Sequence, residues 1–293
     1  MIRVSSWIAV LSWAVLPGPL PGPRELIPPS QDSVRFGSNP RAGRYLQVED
    51  ARIYFEVYGK GEPVVLLHGG LFGYINEFAD LITALSRDYQ VIAIAARGHG
   101  RSELGRRPLS YRLFAEDCAA ILGSLRLPPV NLLGFSDGAI VAYHVAATRP
   151  DLVRRLIAVG GPIGLRGYSA VGAAELDRYN TPAKLEAFAP TFVAARKRLM
   201  PDSTVWASFV RQLGEMWSQP EYISREAVRG IRSPALVAAG DRDQYFTLEH
   251  LLEVFRLLQR GRVAVIPGSA HLVFDSQPDL MLTLIRDFLR EPN

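Results

Sequence analysis

The stretch VNLLGFSDGAIVAYHVA, residues 130–146, changes pattern abruptly at its middle. It begins as an apolar run typical of a buried β-strand and continues as a helix, and Ser136 stands between them. A turn this sharp strains the backbone of its central residue and crowds the residues two positions away, which here are Gly134 and Gly138. We therefore predict that the glycines make the turn possible. It would lift the Ser136 hydroxyl above the carboxyl end of a sheet, at a helix N-terminus.

Buried strands and helices alternate on both sides of this turn, which predicts a mostly parallel sheet covered by helices on both faces. An alternating polar and apolar pattern predicts a β-hairpin at residues 45–50 and 52–59. Further strands are predicted at residues 63–70, 90–96, 130–135, 153–161, 234–240 and 263–268. Helices are predicted at residues 78–89, 110–125, 138–150, 248–259 and 279–290.

The alternation stops within the second half of the chain. Residues from about 162 to 231 have helical patterns rich in aromatic side chains and no convincing strand. We therefore predict an all-helical insertion at about residues 162–231, after which the α/β pattern resumes. The aromatic residues are Phe188, Phe192, Trp206, Phe209 and Trp217.

The composition is that of a folded α/β protein. The 293 residues are 48% hydrophobic, which is enough for one large core. The net charge of +4 comes from scattered basic residues, and the densest group, residues 196–198, lies in a helical pattern. Such a group is typical of a solvated helix face, so nucleic-acid binding is not expected. The single cysteine, Cys118, excludes an internal disulfide and is expected to be a small buried side chain.

Residues 1–41 differ from the rest of the chain. An early arginine and an apolar run at residues 7–16 are typical of a secretory signal, although no clean cleavage pattern follows. The run is short for a membrane span, and an uncleaved anchor or a misassigned start codon are the alternatives. We predict that residues 1–41 are a signal or anchor segment with a Pro/Gly-rich linker, and that the protein is exported to the periplasm or secreted. Without a signal it would be cytoplasmic. Residues 42–293 would form the folded domain, with no stable membrane span.

Ser136 needs a base, because a serine hydroxyl is a poor nucleophile until its proton is accepted. His271 follows the last predicted strand and therefore lies at the carboxyl edge of the sheet, where Ser136 also emerges. We predict that His271 is the general base. The other histidines, in glycine-rich turns or predicted helices, are His68, His99, His144 and His250.

A carboxylate that orients this histidine is predicted at the end of the strand at residues 234–240. Asp241 and Asp243 both follow it at the carboxyl edge. Asp243 is preferred because it lies one residue beyond a tight Gly-Asp-Arg turn, from which it can reach back towards His271. Asp241 is expected to cap the turn.

Backbone N–H groups are expected to bind the oxyanion of a tetrahedral intermediate. One donor is predicted at Asp137, the first residue of the helix after Ser136. The other is predicted at Gly70, with Leu71 as the alternative, in the loop after the strand at residues 63–70. The histidines form no clustered metal-ligand set and no glycine fingerprint opens a helix, so neither a metal nor a cofactor is predicted.

These motifs together resemble the α/β-hydrolase superfamily, from about residue 45 to the C-terminus. The chain order of Ser136, Asp243 and His271 is the order of the Ser-His-Asp triad in that family. One departure is Ala95, where relatives often have an aspartate, and it concerns loop packing. The other matching motifs are HGG (68–70), the oxyanion motif; RGHGRS (97–102), the loop after the fourth strand; GDRD (240–243), the acid motif; and GSAH (268–271), the histidine motif.

The resemblance implies the α/β-hydrolase fold, a mostly parallel central sheet flanked by helices, with the insertion as a helical cap. It also implies hydrolysis of carboxylic-ester-type bonds of small apolar substrates through an acyl-enzyme, without a cofactor. The elbow GFSDG is similar to that of serine hydrolases of amino-acid esters, in which Asp137 would hold a cationic amino group. The alternative is that the Asp137 side chain only favours the helix N-terminus.

Several other activities use the same fold and stay open. Acyl transfer, cofactor-free haloperoxidase activity and C–C bond hydrolysis use the same triad, and some members of the fold only bind small molecules. Haloalkane dehalogenation is disfavoured because the central residue of the elbow is Ser136 rather than an aspartate. The oligomeric state is not indicated by the sequence.

Overall fold

A sheet of eight strands forms the centre of the structure, a computed structural model that describes residues 34–292. The order of the strands in the sheet is β1-β2-β4-β3-β5-β6-β7-β8, and β2 runs in the opposite direction to the other seven. The strands are β1 (Gly43–Val48), β2 (Ala51–Tyr58), β3 (Glu62–Leu67), β4 (Tyr89–Ile94), β5 (Val130–Phe135), β6 (Val153–Val159), β7 (Ala235–Gly240) and β8 (Gly261–Ile266).

Helices cover both faces of this sheet. Helices α1 and α11 bury their apolar residues against one face, and α2, α3 and α9 bury theirs against the other. In residues 34–292 no helix is both long enough and apolar enough to cross a membrane. The helices are α1 (Ala79–Leu85), α2 (Tyr111–Leu125), α3 (Asp137–Thr148), α4 (Ala170–Tyr179), α5 (Pro182–Phe188), α6 (Pro190–Leu199), α7 (Trp206–Trp217), α8 (Arg225–Arg229), α9 (Leu248–Leu257), α10 (Val273–Ser276) and α11 (Pro278–Arg290).

Strand β5 lies in the interior of the sheet, between β3 and β6. All six of its residues are buried. Leu132 packs into the core on one face and Leu133 into the core on the other, because successive side chains of a strand point to opposite faces. A strand covered on both faces has to be apolar throughout, so the prediction of a mostly parallel sheet with helices on both sides is confirmed.

The predicted insertion lies between β6 and β7. Residues 160–234 contain helices α4 to α8 and, within the described part of the chain, isolated bridges rather than strands. Helix α7 buries Trp206, Phe209 and Trp217, so these predicted aromatic residues pack inward. The exact limits of a separate cap at residues 162–231 stay a prediction.

A buried carboxylate fastens the start of the described chain to the sheet. Glu56 of β2 is fully buried and accepts hydrogen bonds from the backbone N–H groups of Gly37 and Asn39 and from the hydroxyls of Tyr54 and Tyr58. A buried carboxylate is tolerated when its oxygens are saturated with donors in this way. Residues 34–41, the last part of the predicted linker, therefore include turns bonded to the core, whereas residues 1–33 lie outside the described part.

The loop after β4 is held by a buried arginine. The Arg97 side chain has no exposed surface and binds the Asp117 carboxylate of α2 with two nitrogens, at 2.6 and 2.9 Å. Its third nitrogen lies 2.6 Å from the Asp50 carboxylate, which belongs to the turn between β1 and β2. Next to Asp117, Cys118 is buried, as predicted.

Candidate active site

The turn between β5 and α3 places Ser136 at the N-terminus of α3 with φ 54° and ψ −120°. A Cβ atom at Gly134 would lie 2.1 Å from the Gly138 carbonyl oxygen, and one at Gly138 would lie 2.0 Å from the Leu67 carbonyl oxygen. Side chains at these two positions would collide with backbone, so the turn requires both glycines. The strained backbone predicted for Ser136 is confirmed.

Ser136 is in contact with His271, which follows β8. The Ser136 Oγ lies 3.0 Å from His271 Nε2, and His271 Nδ1 lies 2.8 Å from Asp243 Oδ2. Since a carboxylate only accepts, the ring proton is on Nδ1, and Nε2 is left as an acceptor facing the serine hydroxyl. The structure thus brings the three predicted side chains together in one chain of hydrogen bonds.

The residues around the His271 ring fix its position. The rings of Phe135, Tyr245 and Phe246 lie 4.9, 5.0 and 5.2 Å from it. Gly160 has φ 59°, and a Cβ atom there would come within 2.9 Å of the His271 Cε1 atom. The ring is therefore enclosed on several sides and keeps the orientation that points Nε2 at Ser136.

Asp243 and Asp241 have different roles in this loop. The Asp243 side chain is buried, and its Oδ1 accepts hydrogen bonds from the N–H groups of Tyr245 and Phe246. Asp241 is exposed and accepts from the Ser269 N–H at 3.2 Å, which joins the loops that follow β7 and β8. The structure thus places Asp243 rather than Asp241 against the histidine.

The predicted oxyanion donors lie where the loop after β3 meets the elbow. A Cβ atom at Gly70 would lie 2.6 Å from Asp137 Oδ2, so the two residues are in direct contact. Within residues 34–292, the N–H groups of Gly70, Leu71 and Asp137 donate to no protein acceptor. Free N–H groups beside Ser136 are what an oxyanion would require.

The remaining histidines do not contact Ser136. Buried His68 accepts from the Ala96 N–H and its other ring nitrogen lies 2.6 Å from the Gly69 carbonyl oxygen, and burial lowers its pKa to about 4. The other three histidines also hydrogen-bond to backbone groups. His99 bonds to the Arg97 carbonyl oxygen and His144 to the Tyr222 carbonyl oxygen, and His250 accepts from the Ile163 N–H. These four histidines therefore hydrogen-bond within the loops and the insertion and lie outside the Ser136 chain of contacts.

The alpha/beta hydrolase family model matches residues 64–283, well over half of the chain. This chain belongs to the α/β-hydrolase family. A relative in Acinetobacter baylyi, the (E)-2-((N-methylformamido)methylene)succinate hydrolase, is 27% identical over 77% of this chain and 89% of its own length. The esterase YbfF of Escherichia coli is 26% identical over 78% of this chain and 93% of its own length. The structure of an esterase from Exiguobacterium antarcticum has the same fold, with a TM-score of 0.70, 21% identity, and coverage of 85% of this chain and all of the other.

In this α/β-hydrolase the Asp137 carboxylate has partners that the sequence did not indicate. It accepts from the Tyr111 hydroxyl of α2 at 3.0 Å and from the Trp217 indole N–H of α7 at 2.8 Å. Burial raises its pKa to about 6, although both donors oppose the shift. The side chain therefore ties the elbow to the insertion, and neither of the two roles considered for it from the sequence described this contact.

Glu77 is a second carboxylate of the hydrolase that sequence reasoning missed. It lies in the short 3-10 helix Ile75–Phe78 and accepts the Gly69 N–H at 2.7 Å, directly before the predicted donor Gly70. Burial raises its pKa from 4.5 to about 7, and the hydrogen bond from Gly69 and the charge of His271 oppose that shift. Glu77 thus holds the loop after β3 at an energetic cost that depends on pH.

We expect Glu77→Gln to change the pH dependence of stability. The glutamine oxygen still accepts from Gly69, but it does not ionise. In the parent, the unfolded chain loses the Glu77 proton near pH 4.5 and the folded chain keeps it until about pH 7. Its raised pKa therefore favours the folded state below pH 4.5, and this contribution is lost as the pH rises through 7. Relative to the variant, the parent should lose roughly 2–3 kcal/mol between pH 4.5 and 8.

Urea unfolding of both proteins at pH 4.5, 6 and 8 measures this difference. Asp80→Asn, which neutralises an exposed carboxylate on α1, is the matched control and should follow the parent. Parallel stability curves for the parent and Glu77→Gln would show that Glu77 titrates normally.

Proposed function

We propose that this protein is a serine hydrolase that cleaves carboxylic-ester-type bonds through an acyl-enzyme. Ser136 would be the nucleophile, His271 the general base and Asp243 the residue that orients the histidine. The observation that supports this most strongly is the continuous chain of contacts from Asp243 Oδ2 through both ring nitrogens of His271 to Ser136 Oγ, at 2.8 and 3.0 Å.

In the first half of the reaction, Ser136 Oγ attacks the carbonyl carbon of the ester while His271 Nε2 takes the hydroxyl proton. The negative charge that develops on the carbonyl oxygen is stabilised by the N–H groups of Gly70 and Asp137. The tetrahedral intermediate collapses, the C–O bond to the alcohol breaks, and His271 gives the proton to the departing oxygen. Ser136 is left as an ester of the acyl group.

In the second half, water replaces the alcohol. His271 Nε2 takes a proton from the water, whose oxygen attacks the acyl carbon. Collapse of the second intermediate releases the carboxylic acid and returns the proton to Ser136 Oγ. Throughout the cycle the Asp243 carboxylate stabilises the imidazolium, and its second oxygen is held in place by the N–H groups of Tyr245 and Phe246.

A small substrate with an apolar part fits the surroundings of the loop after β3. Phe72, two residues beyond Gly70, packs on Tyr179 of α4 and Phe192 of α6 at ring distances of 5.0 and 4.9 Å. Trp217 of α7 reaches the elbow through Asp137. The similarity to an esterase and to the hydrolase of a substituted succinate also supports a hydrolase of small acyl compounds.

A fluorophosphonate tests this proposal, because a serine activated by a base displaces fluoride from phosphorus and stays covalently labelled. The full chain should be labelled once, at Ser136, as shown by peptide mass spectrometry, and should hydrolyse 4-nitrophenyl butanoate. Labelled protein must lose that activity in proportion. A folded protein that is neither labelled nor active with several acyl lengths would favour a non-catalytic binding protein.

The two aspartates of the GDRD motif provide a further test. Asp243→Asn should lower kcat by about 10²- to 10⁴-fold, because an amide can stabilise the wrong tautomer of His271 and cannot stabilise the imidazolium. Asp241→Asn keeps an oxygen for the Ser269 N–H and should change kcat by less than about threefold, as expected for an exposed group that contacts no reacting atom. Initial rates with 4-nitrophenyl butanoate measure both. Equal losses in the two variants, or a larger loss at Asp241, would contradict the assignment.

A further inference from the structure

The basic group at residues 196–198 is not the uniformly solvated helix face that its sequence predicts. Lys197 pairs with Glu186 near the surface and Arg198 is exposed. Arg196, by contrast, extends from α6 towards the core of the hydrolase and donates to the Phe72 carbonyl oxygen. Its guanidinium carbon lies 4.1 Å from the Tyr74 ring centre and 4.9 Å from that of Phe192.

Arg196 is a partly buried cation, and the described residues place no carboxylate at ion-pair distance from it. Among residues 34–292, no Asp or Glu oxygen lies within 4.0 Å of its guanidinium, and its buried Nε has no hydrogen-bond partner. Burial lowers its pKa to about 10, against the opposing influence of Tyr74 and Glu77. Arg97, the buried arginine described above, forms ion pairs with two carboxylates. Glu77 acts on this charge only from beyond ion-pair distance, and a largely desolvated charge without a direct partner is costly, so the Arg196 position is suited to an anion that binds the guanidinium directly.

This cation lies beside the proposed catalytic groups. Phe72, whose carbonyl oxygen accepts from Arg196, belongs to a tight turn in which the Gly73 N–H donates to the Gly70 carbonyl oxygen at 2.6 Å. Phe72 is two positions after Gly70, so their Cα atoms are within roughly 8 Å of each other. The Gly70 N–H and the Arg196 guanidinium are therefore separated by a distance that a short molecule spans.

We propose that Arg196 binds a carboxylate at the far end of the substrate, so that the preferred substrate is a half-ester of a short dicarboxylic acid. This inference rests on the proposed function of Ser136. The planar guanidinium fork matches a carboxylate, and the aromatic faces of Tyr74 and Phe192 hold the fork in place. The apolar chain of the acid would lie along Phe72, and the ester carbonyl would reach the oxyanion donors.

Two 4-nitrobenzyl esters that differ only at the far end test this proposal. The probes are 4-nitrobenzyl hydrogen succinate, which carries a free carboxylate, and its methyl ester, which is neutral. The measured quantity is the ratio of kcat/KM for the charged probe to that for the neutral probe. Because both probes meet the same catalytic groups, the ratio is insensitive to a general loss of active protein.

Arg196→Met should lower this ratio about 10- to 100-fold, the effect of losing a charge-assisted hydrogen bond. Arg196→Lys should keep part of the preference, because the charge stays and the fork is lost. Arg198→Met removes an exposed charge from the same helix and should leave the ratio unchanged. An unchanged ratio in folded Arg196→Met, with both rates altered together, would show that Arg196 only fastens α6 to the loop after β3, and would overturn the proposal.

A binding measurement separates this proposal from the function of Ser136. This measurement needs no turnover and uses Ser136→Ala. Succinate should raise the unfolding temperature of this variant, and neutral dimethyl succinate should raise it less. Adding Arg196→Met should remove the effect of succinate. Stabilisation by succinate that depends on Arg196 would support the anion site even if no ester is hydrolysed. Ester hydrolysis by the parent without any such stabilisation or probe preference would overturn the anion site and leave the proposed hydrolase standing.

Discussion

Replacement of Ser136 with alanine is expected to lower kcat for 4-nitrophenyl butanoate by about 10⁴- to 10⁶-fold, because the acyl-enzyme cannot form without the hydroxyl. The residual rate would come from the proposed oxyanion donors at Gly70 and Asp137 and from substrate binding. The substitution removes one atom from a partly buried position and leaves the glycines of the elbow in place. Thermal unfolding of the variant should therefore stay close to that of the parent.

The control for this variant is Ser124→Ala. The Ser124 hydroxyl donates to the Ile121 carbonyl oxygen within α2 and contacts no group of the candidate site. We expect its kcat to match that of the parent. If folded Ser136→Ala retained a tenth or more of the parent activity, the hydrolysis would have to come from another group, and the assignment of the nucleophile would be wrong.

The largest effect on stability is expected for Arg97→Met, at about 3–5 kcal/mol of unfolding free energy. Methionine fills part of the volume but leaves the Asp117 carboxylate buried without its two donors, and it removes the nearest charge from Asp50. The cost of an uncompensated buried charge exceeds the value of the ion pair itself, which is why removal of one partner is so damaging. Denaturant unfolding at neutral pH, with the parent alongside, measures the loss.

Arg112→Met tests whether burial is the cause of the stability loss expected for Arg97→Met. Arg112 pairs with Glu116 on the surface of α2, and its side chain is 79% exposed. Exposed ion pairs contribute little to the free energy of unfolding, so this variant should unfold at nearly the same denaturant concentration as the parent. A loss for Arg97→Met no larger than that for Arg112→Met would mean that water reaches the carboxylates of Asp50 and Asp117 and solvates them.

The sheet could be predicted closely because each buried strand is a continuous apolar run that can be recognised within the strand's own sequence. Strands buried on both faces must be continuously hydrophobic, and the glycines around Ser136 fit one kind of turn. The positions of Asp243 and His271 followed from topology, since the carboxyl ends of parallel strands meet at one edge. Each of these inferences uses residues that are neighbours in the sequence or that occupy equivalent places in successive units.

The groups that sequence reasoning missed are defined by contacts between distant segments. Asp137 reaches Trp217, 80 residues away, and Arg196 reaches Phe72, 124 residues away. Nothing in the helical pattern around Arg196 distinguishes it from Arg198, because which residue faces inward depends on how α6 packs on the loop after β3. Glu77 likewise gains its role only when that loop folds back on it. Such contacts require the tertiary structure.

The chain order of the proposed catalytic groups determines which of them an unfinished chain contains. Ser136 follows β3, β4 and β5, which are already complete when it is made, whereas Asp243 and His271 follow β7 and β8, near the end of the chain. The chain is synthesised from its N-terminus, and a domain generally folds as a unit. A growing chain would therefore carry its serine for a long interval with no base beside it. The proposed triad would be complete only after β8 has joined the edge of the sheet, so unfinished chains would not hydrolyse esters.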